Sequence, residues 1–98
     1  MQDLATYLKA RRIDAGLSQI EVSKKLGYTS AQFVSNWERG VAKPPLEALV
    51  KIIKLYAVDG DEVVDRYIFA TRKRLEKVFL GKKFERKSKS KTLNTNRG

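Results

Sequence analysis

The segment over residues 17–40 constrains the fold most, because signals that begin and end helices follow one another closely within it. Ser18 belongs to the residue types that cap helix N-termini, and Glu21 stands three positions later, as in a capping box. Gly27 can adopt the left-handed conformation that ends a helix. Together these signals predict a helix over residues 19–26.

A second helix is predicted directly afterwards, over residues 31–39. Thr29 or Ser30 can cap its start, and Gly40 can end it. Both helices carry apolar side chains that recur every three to four residues and are expected to be buried. They are Leu26 and either Ile20 or Val22 in the first helix, and Trp37 and either Phe33 or Val34 in the second. Two short helices joined by a tight turn form a helix-turn-helix.

The outward face of the second helix carries amide, hydroxyl and guanidinium groups. They belong to Gln32, Ser35, Asn36 and Arg39. Such groups suit the base edges and phosphates of a DNA major groove, and an amide side chain can present a matched donor and acceptor to adenine. This helix is therefore predicted to be a recognition helix.

The spacing of these residues resembles that of the Cro/C1 (Xre-type) repressor family, over roughly residues 4–64. The resemblance is carried by Arg12, Ser18, Gln19, Gly27, Trp37, Glu38, Arg39, Gly40 and Pro44. It implies an all-α, lambda-repressor-like DNA-binding domain of five helices. It also implies that Arg12 pairs with Glu38 and tethers the first helix to the recognition helix. A partly buried guanidinium needs a carboxylate, which favours the same pair on physical grounds.

The resemblance also assigns the base-reading positions. Aligned from the Trp-Glu-Arg-Gly segment, they fall on Ala31, Gln32 and Asn36, with Ser35 beside them. Ala31 can pack against a thymine methyl group. The chain has one residue more than the family between Gly27 and Trp37. Which residue of the first turn reads a base therefore stays open.

Contacts to DNA phosphates are predicted for Gln19, Tyr28, Arg39 and Lys43. In the family, the glutamine at the position of Gln19 donates to a phosphate, and the loop that follows the recognition helix runs along the DNA backbone. Tyr28 either lies against the sugar-phosphate backbone or packs on the turn.

The flanking helices follow from the same periodicity. Leu4, Leu8 and Arg12 lie on one stripe of a first helix that Gly16 ends. A helix over residues 46–56 is predicted after the Lys43-Pro44-Pro45 loop. It is expected to bury Leu46, Leu49, Ile53 and Tyr56, and to point Val50 and Leu55 away from the core.

The last predicted helix outruns the family pattern. It begins at the Asp59-Gly60-Asp61 turn and keeps an apolar period to about Leu80. Its second half has nothing left in the domain to bury against, so a second copy or a protein partner is expected on Leu75, Val78 and Phe79. We therefore predict a helix-turn-helix domain over residues 1–70, a helical extension over 71–81 and a disordered basic tail over 82–98.

The charge of the chain favours a polyanionic partner. The net charge is +10, which favours nucleic acid as the partner over an anionic membrane. Cysteine and histidine are absent, so a disulfide framework, a metal site and a histidine general base are not expected. Accordingly, no enzyme activity and no cofactor are predicted. No signal peptide or membrane-spanning stretch is visible, and we expect a cytoplasmic, nucleoid-associated protein.

The combined prediction is a sequence-specific transcriptional regulator that binds double-stranded DNA. We expect a repressor that binds a palindromic operator as a homodimer, with half-sites about 34 to 36 Å apart. Two alternatives stay open. One is an antitoxin-like or adaptor module that binds a protein through the C-terminal helix and tail. The other is an RNA-binding protein in which the helix-turn-helix serves as scaffold.

Overall fold

Five α-helices make up most of residues 2–81, the part of the chain that the computed structural model describes. They are α1 (Leu4–Asp14), α2 (Gln19–Lys25), α3 (Gln32–Glu38), α4 (Leu46–Tyr56) and α5 (Gly60–Leu80). No strand occurs within these residues. The all-α, five-helix fold predicted from the sequence is confirmed. The tail predicted to be disordered, over residues 82–98, lies outside the described residues.

Both ends of α2 follow the predicted signals. The Ser18 hydroxyl accepts a hydrogen bond from the backbone N–H of Glu21 at 3.1 Å, and the Glu21 carboxylate accepts one from the backbone N–H of Ser18 at 2.8 Å. Both halves of the capping box are therefore present. At the other end Gly27 has a φ of 91°, and the N–H of Tyr28 donates to the Ser23 carbonyl. Local interactions thus fix α2 at both ends.

The bounds of α3 differ by one residue at each end from the predicted 31–39. Ala31 is the N-cap and makes no side-chain capping hydrogen bond, and Arg39 is the C-cap. The Ser30 hydroxyl accepts from the backbone N–H of Gln32 at 3.3 Å. Ala31 has a ψ of 1°, outside the helical range, so the helix begins at Gln32.

The chain divides into two units, one that ends at Tyr67 and one that begins at Ile68. In the first unit α3 packs against both α1 and α2, and α1 also packs against α4. Its core consists of Leu4, Tyr7, Leu8, Val22, Leu26, Val34, Trp37, Ala48, Leu49, Ile52, Tyr56 and Val63. A large apolar side chain contributes about 1.5–3 kcal/mol when it is fully buried. Of the alternatives that the sequence left open, Val22 and Val34 are buried in the core, whereas Ile20 and Phe33 are exposed.

The bounds of α4 were predicted correctly, but the prediction of its buried face was partly wrong. Leu49 and Tyr56 are buried as expected, but Leu46 is 65% exposed. Ile52 takes the buried position that was predicted for Ile53, which is half-buried. A helical period fits both the predicted set of buried positions (46, 49, 53 and 56) and the observed one (49, 52 and 56), because neighbouring residues differ by only 100° around the axis. The partners of α4 decide between the two.

The start of α5 is joined to α1 through one buried tyrosine. The Tyr7 hydroxyl donates to Glu62 Oε1 at 2.9 Å, and the guanidinium carbon of Arg66 lies 4.2 Å from the centre of the Tyr7 ring. Burial, together with the bond to Glu62, raises the pKa of Tyr7 above its ordinary value. The first turn of α5 is thereby held in the core of the first unit, where Val63 is also buried.

The second unit begins with residues 68–80 of α5. Its large apolar side chains are exposed: Ile68, Phe69, Leu75, Val78, Phe79 and Leu80. Arg72 Nε and Glu76 Oε2 form an ion pair one turn apart at 3.2 Å. No helix in residues 2–81 is long and apolar enough to cross a membrane.

Candidate nucleic-acid interface

α3 has one face in the core and one at the surface. Val34 and Trp37 are 1% and 4% exposed, so packing fixes the rotation of the helix about its axis. The side away from the core carries polar side chains that the sequence assigned to DNA. They are Gln32, Ser35, Asn36 and Arg39, with Ala31 at the N-cap.

A buried ion pair links α1 to α3. Arg12 Nε lies 2.7 Å from Glu38 Oε2, and Arg12 Nη2 donates to Glu38 Oε1 at 3.0 Å. The side chains are 10% and 3% exposed. The remaining Arg12 nitrogen, Nη1, donates to the carbonyl of Leu17 at 2.7 Å. The hydrogen bonds with Glu38 raise the pKa of Arg12, against the effect of burial. Arg12 and Glu38, the pair predicted from the sequence, are thus in bidentate contact.

Gln19 joins this pair from α2. Its Nε2 donates to Glu38 Oε1 at 3.0 Å. Glu38 therefore accepts hydrogen bonds from α1 and from α2, and we call Arg12, Gln19 and Glu38 the Glu38 cluster. The amide of Gln19 has a second N–H, so its predicted bond to a DNA phosphate is compatible with this contact. That bond stays a prediction.

A second group of hydrogen bonds lies on the exposed face of α3. Asn36 Oδ1 accepts from Gln32 Nε2 at 2.9 Å and from Arg39 Nη2. Arg39 Nε also donates to the Ser35 hydroxyl at 3.3 Å. We call Gln32, Ser35, Asn36 and Arg39 the Asn36 cluster. One acceptor oxygen holds both ends of this face, and the amide of Gln32 keeps one N–H and its carbonyl oxygen for a further partner.

The turn between α2 and α3 is filled by aromatic rings. The Tyr28 ring centre lies 4.7 Å from that of Phe33 and 6.0 Å from that of Trp37. Tyr28 is half-buried, and its ring packs on the turn. A contact between its hydroxyl and a phosphate stays a prediction. Phe33 is 52% exposed and lies at the surface.

The loop after α3 is anchored at Pro44, which is buried. Next to it, Lys43 Nζ lies 5.1 Å from the centre of the Tyr67 ring, within the range of a cation–π interaction. Lys43 is half-buried and Arg39 is exposed. Of the two cations predicted for phosphate contacts, Arg39 lies at the start of this loop and Lys43 lies near its end.

This geometry, two short helices of which the second is packed on one face and polar on the other, agrees with the comparison to known families. A family model described as helix-turn-helix matches residues 8–63, more than half of the chain. The chain belongs to the Cro/C1-type helix-turn-helix family. No curated protein and no solved structure matches the chain.

Cro/C1-type helix-turn-helix domains bind DNA and are not enzymatic, and this chain is therefore a DNA-binding transcription regulator. In residues 2–81 no group of histidine, cysteine, aspartate or glutamate is arranged to hold a metal ion.

Two features of this Cro/C1-type domain were missed from the sequence. The first is the bond between Gln19 and Glu38, for which a separation of 19 residues gives no local signal. The second is the bond between Gln32 and Asn36. Its signal was present, since side chains four residues apart on a helix are neighbours and amide pairs at that spacing bond each other.

Proposed function

We propose that this chain is a transcriptional repressor that binds a palindromic operator as a homodimer, with α3 in the major groove. The observation that carries the proposal is the Asn36 cluster, an ordered set of donors and acceptors on the exposed side of a helix whose other side is fixed in the core. Occupancy of the operator blocks transcription. As an operator-binding protein it acts in the cytoplasm, at the nucleoid.

Gln32 is the main base-reading residue in this proposal. Its Nε2 gives one hydrogen to Asn36 Oδ1, which sets the orientation of the amide. The second N–H and the carbonyl oxygen then match N7 and N6 of adenine. Asn36 and Ser35 complete the readable face, and Ala31 lies at its leading end. A side chain held in its binding rotamer loses less entropy on binding than a mobile one.

Phosphate contacts are proposed for four residues around this face: Gln19, Tyr28, Arg39 and Lys43. They lie at the start of α2, in the turn, at the end of α3 and in the following loop. Such contacts fix the register of a protein on the duplex and carry no sequence information themselves. The excess of 21 basic over 11 acidic residues supports a strong, salt-dependent component of binding.

The dimer surface is proposed on the second half of α5, at Leu75, Val78 and Phe79. All three side chains are exposed, and the burial of exposed apolar area by a second copy stabilises association. In domain terms, residues 1–70 read the operator, residues 71–81 hold two copies together, and the basic tail from residue 82 adds charge. The same surface also supports a second candidate function, capture of a partner protein of a different sequence.

The experiment is a selection from randomised duplexes at several salt concentrations, with the intact chain and the variant Gln32→Glu. We expect a palindrome with an adenine at one position of each half-site. An ionised glutamate only accepts hydrogen bonds, so the variant should prefer cytosine there, whose N4 amino group donates. Gln2→Glu is the matched control, because it adds the same charge at an exposed position outside α3, and its selected sequence should equal that of the intact chain.

The outcomes separate the parts of the proposal. If no sequence is enriched, operator recognition by α3 is wrong. If a single half-site is enriched, the dimer is wrong. Val78→Asp tests the dimer surface: the variant should bind an isolated half-site as the intact chain does, and should lose the additional affinity for the full palindrome. Copurification of a second protein in fixed ratio, with no homodimer in sedimentation, would favour the partner-binding function instead.

A further inference from the structure

The side chain of Phe33 is a large apolar group that the core does not use. It is the second residue of α3 and is 52% exposed, whereas Val34 and Trp37 of the same helix are almost fully buried. Phe33 follows directly after Gln32, the proposed adenine-reading residue, and lies 100° further around the helix axis. The ring therefore borders the polar face of α3 and does not lie opposite to it.

The ring of Phe33 is supported from behind. Its centre lies 4.7 Å from that of Tyr28, and the Tyr28 ring in turn meets Trp37 edge to face at 6.0 Å. The three rings form a row that runs from the core, where Trp37 is 4% exposed, to the surface at Phe33. Aromatic contacts of this kind limit the freedom of a ring. Phe33 is thus an apolar surface held at a fixed place beside the readable face.

The major groove offers one apolar group on its base edges, the 5-methyl group of thymine. If the amide of Gln32 reads an adenine, the aromatic ring beside it is placed to contact a thymine methyl group close to that adenine in the major groove. We propose that Phe33 is a specificity-determining residue that packs against the methyl group of a thymine within one base pair of the adenine read by Gln32. This inference rests on the proposed function, since it requires α3 in the major groove.

Ala31, in the same turn of the helix, is an alternative residue for the contact with the methyl group. Ala31 was assigned a thymine methyl from its position, and it is half-buried at the N-cap. An alanine side chain has only one carbon with which to cover a methyl group, whereas Phe33 presents an exposed ring face or edge. The structure therefore favours Phe33, and variants of the two residues can be told apart by experiment.

The test replaces each thymine of the selected operator, one at a time, by deoxyuridine, which pairs as thymine does and lacks the methyl group. For the intact chain, we expect one position per half-site at which the replacement weakens binding about fourfold, the effect of one methyl group withdrawn from an apolar contact. With Phe33→Ala the ratio of the two affinities at that position should fall to about one. Phe33→Leu keeps an apolar side chain and should retain part of the ratio.

Ile13→Ala is the matched control, because Ile13 is 55% exposed on α1 and is not part of the proposed interface. It should leave the ratio unchanged. A ratio of one at every thymine with the intact chain would overturn the proposal for Phe33, while the enriched palindrome would still stand as support for the proposed function. A fourfold ratio that survives in Phe33→Ala and is lost in Ala31→Gly would also overturn it, and would assign the methyl contact to Ala31.

Discussion

Glu38 and Asn36, the acceptors at the centres of the two clusters, lie two residues apart on α3. The Glu38 cluster and the Asn36 cluster differ in burial, in charge and in how far their donors lie away in the sequence. Glu38 is almost fully buried and accepts from residues 26 and 19 positions away in the sequence. Asn36 accepts on the exposed face from residues no more than four positions away. The first cluster joins α1, α2 and α3, and the second orders the surface of α3 alone.

Under the proposed function, this difference separates the residues that hold α3 in place from those that decide what α3 reads. Removal of one partner from a buried charged pair leaves the other charge without compensation, which is costly. Removal of an exposed side chain lets water take its place, so the folded state loses little. Stability and DNA selectivity should therefore respond to different substitutions on the same helix.

The largest effect is expected for Arg12→Ala, which leaves the Glu38 carboxylate buried without its cation. We expect the free energy of unfolding to fall by about 3 kcal/mol, the lower end of the range for a broken buried pair. Urea denaturation followed by circular dichroism measures it. Asp14→Ala is the matched control, because Asp14 is exposed, pairs with Arg11 at 2.7 Å on the same helix and should cost less than about 1 kcal/mol. Equal costs would show that the Glu38 cluster is no more stabilising than a surface pair.

The second effect is on selectivity, for Asn36→Ala. The amide of Gln32 loses the acceptor that orients it, so discrimination for adenine should fall about tenfold, within the usual range for one base contact. Unfolding by urea should change by no more than about 0.5 kcal/mol. Titration of the operator and of a version with the adenine replaced gives the discrimination. A variant that loses stability and keeps its selectivity would reverse the comparison between the clusters.

A smaller effect is expected for Gln19→Ala, which removes one of the donors to Glu38. We expect a loss of about 1 kcal/mol in the free energy of unfolding, as for a typical hydrogen bond. If Gln19 also contacts a phosphate, the affinity for all duplexes should fall alike, and the salt dependence of binding should stay unchanged because an uncharged amide neutralises no phosphate. Gln2→Ala serves as control for both measurements. An unchanged unfolding curve would remove Gln19 from the Glu38 cluster.

The smallest effect concerns Glu21, an exposed carboxylate that contrasts with buried Glu38. The backbone N–H of Ser18, which donates to it, holds the pKa of Glu21 below its ordinary value. A carboxyl group with a lowered pKa in the folded state stabilises above its ordinary pKa, and the stabilisation is lost as the pH falls through the folded value. Unfolding experiments below about pH 4.3 should show this loss, and Glu21→Gln should reduce it.

The control for this pH series is Gln2→Ala, which replaces an exposed side chain that does not titrate. Its pH profile should follow that of the intact chain. Asp3 acts in the same direction as Glu21, because a bond from the Thr6 backbone lowers its pKa. The intact chain should therefore keep part of its acid sensitivity in Glu21→Gln. A profile without any acid sensitivity in that variant would contradict the contribution of Asp3.

How far the sequence could predict the fold depends on how local each signal is. The capping box at Ser18 and the left-handed glycine at Gly27 involve residues within a few positions, and both were predicted. The start of α3 was displaced by one residue, because Ala31 has a ψ of 1° and stays outside the helix. The face of α4 was displaced by one position, since a helical period does not say which of two adjacent stripes has a partner.

The candidate site shows the same division. The residue types on the polar face of α3 and the pair of Arg12 and Glu38 were predictable from spacing and resemblance. Whether Phe33 or Val34 enters the core was not, because both fit the apolar pattern and only the position of α1 and α2 beside α3 selects Val34. The packing of Tyr28 on the turn was equally undecided, since a tyrosine has an apolar ring and a polar tip.

By itself, the sequence determined the number of helices, most of their ends, the family and the polar composition of one face of α3. These depend on caps, periodicity and residue spacing, which act within a few residues along the chain. The tertiary structure alone decided which side chains enter the core, that Gln19 bonds Glu38, and that Phe33 stands exposed beside Gln32. These depend on the approach of segments distant in sequence, where packing and burial choose among faces that local patterns leave equivalent.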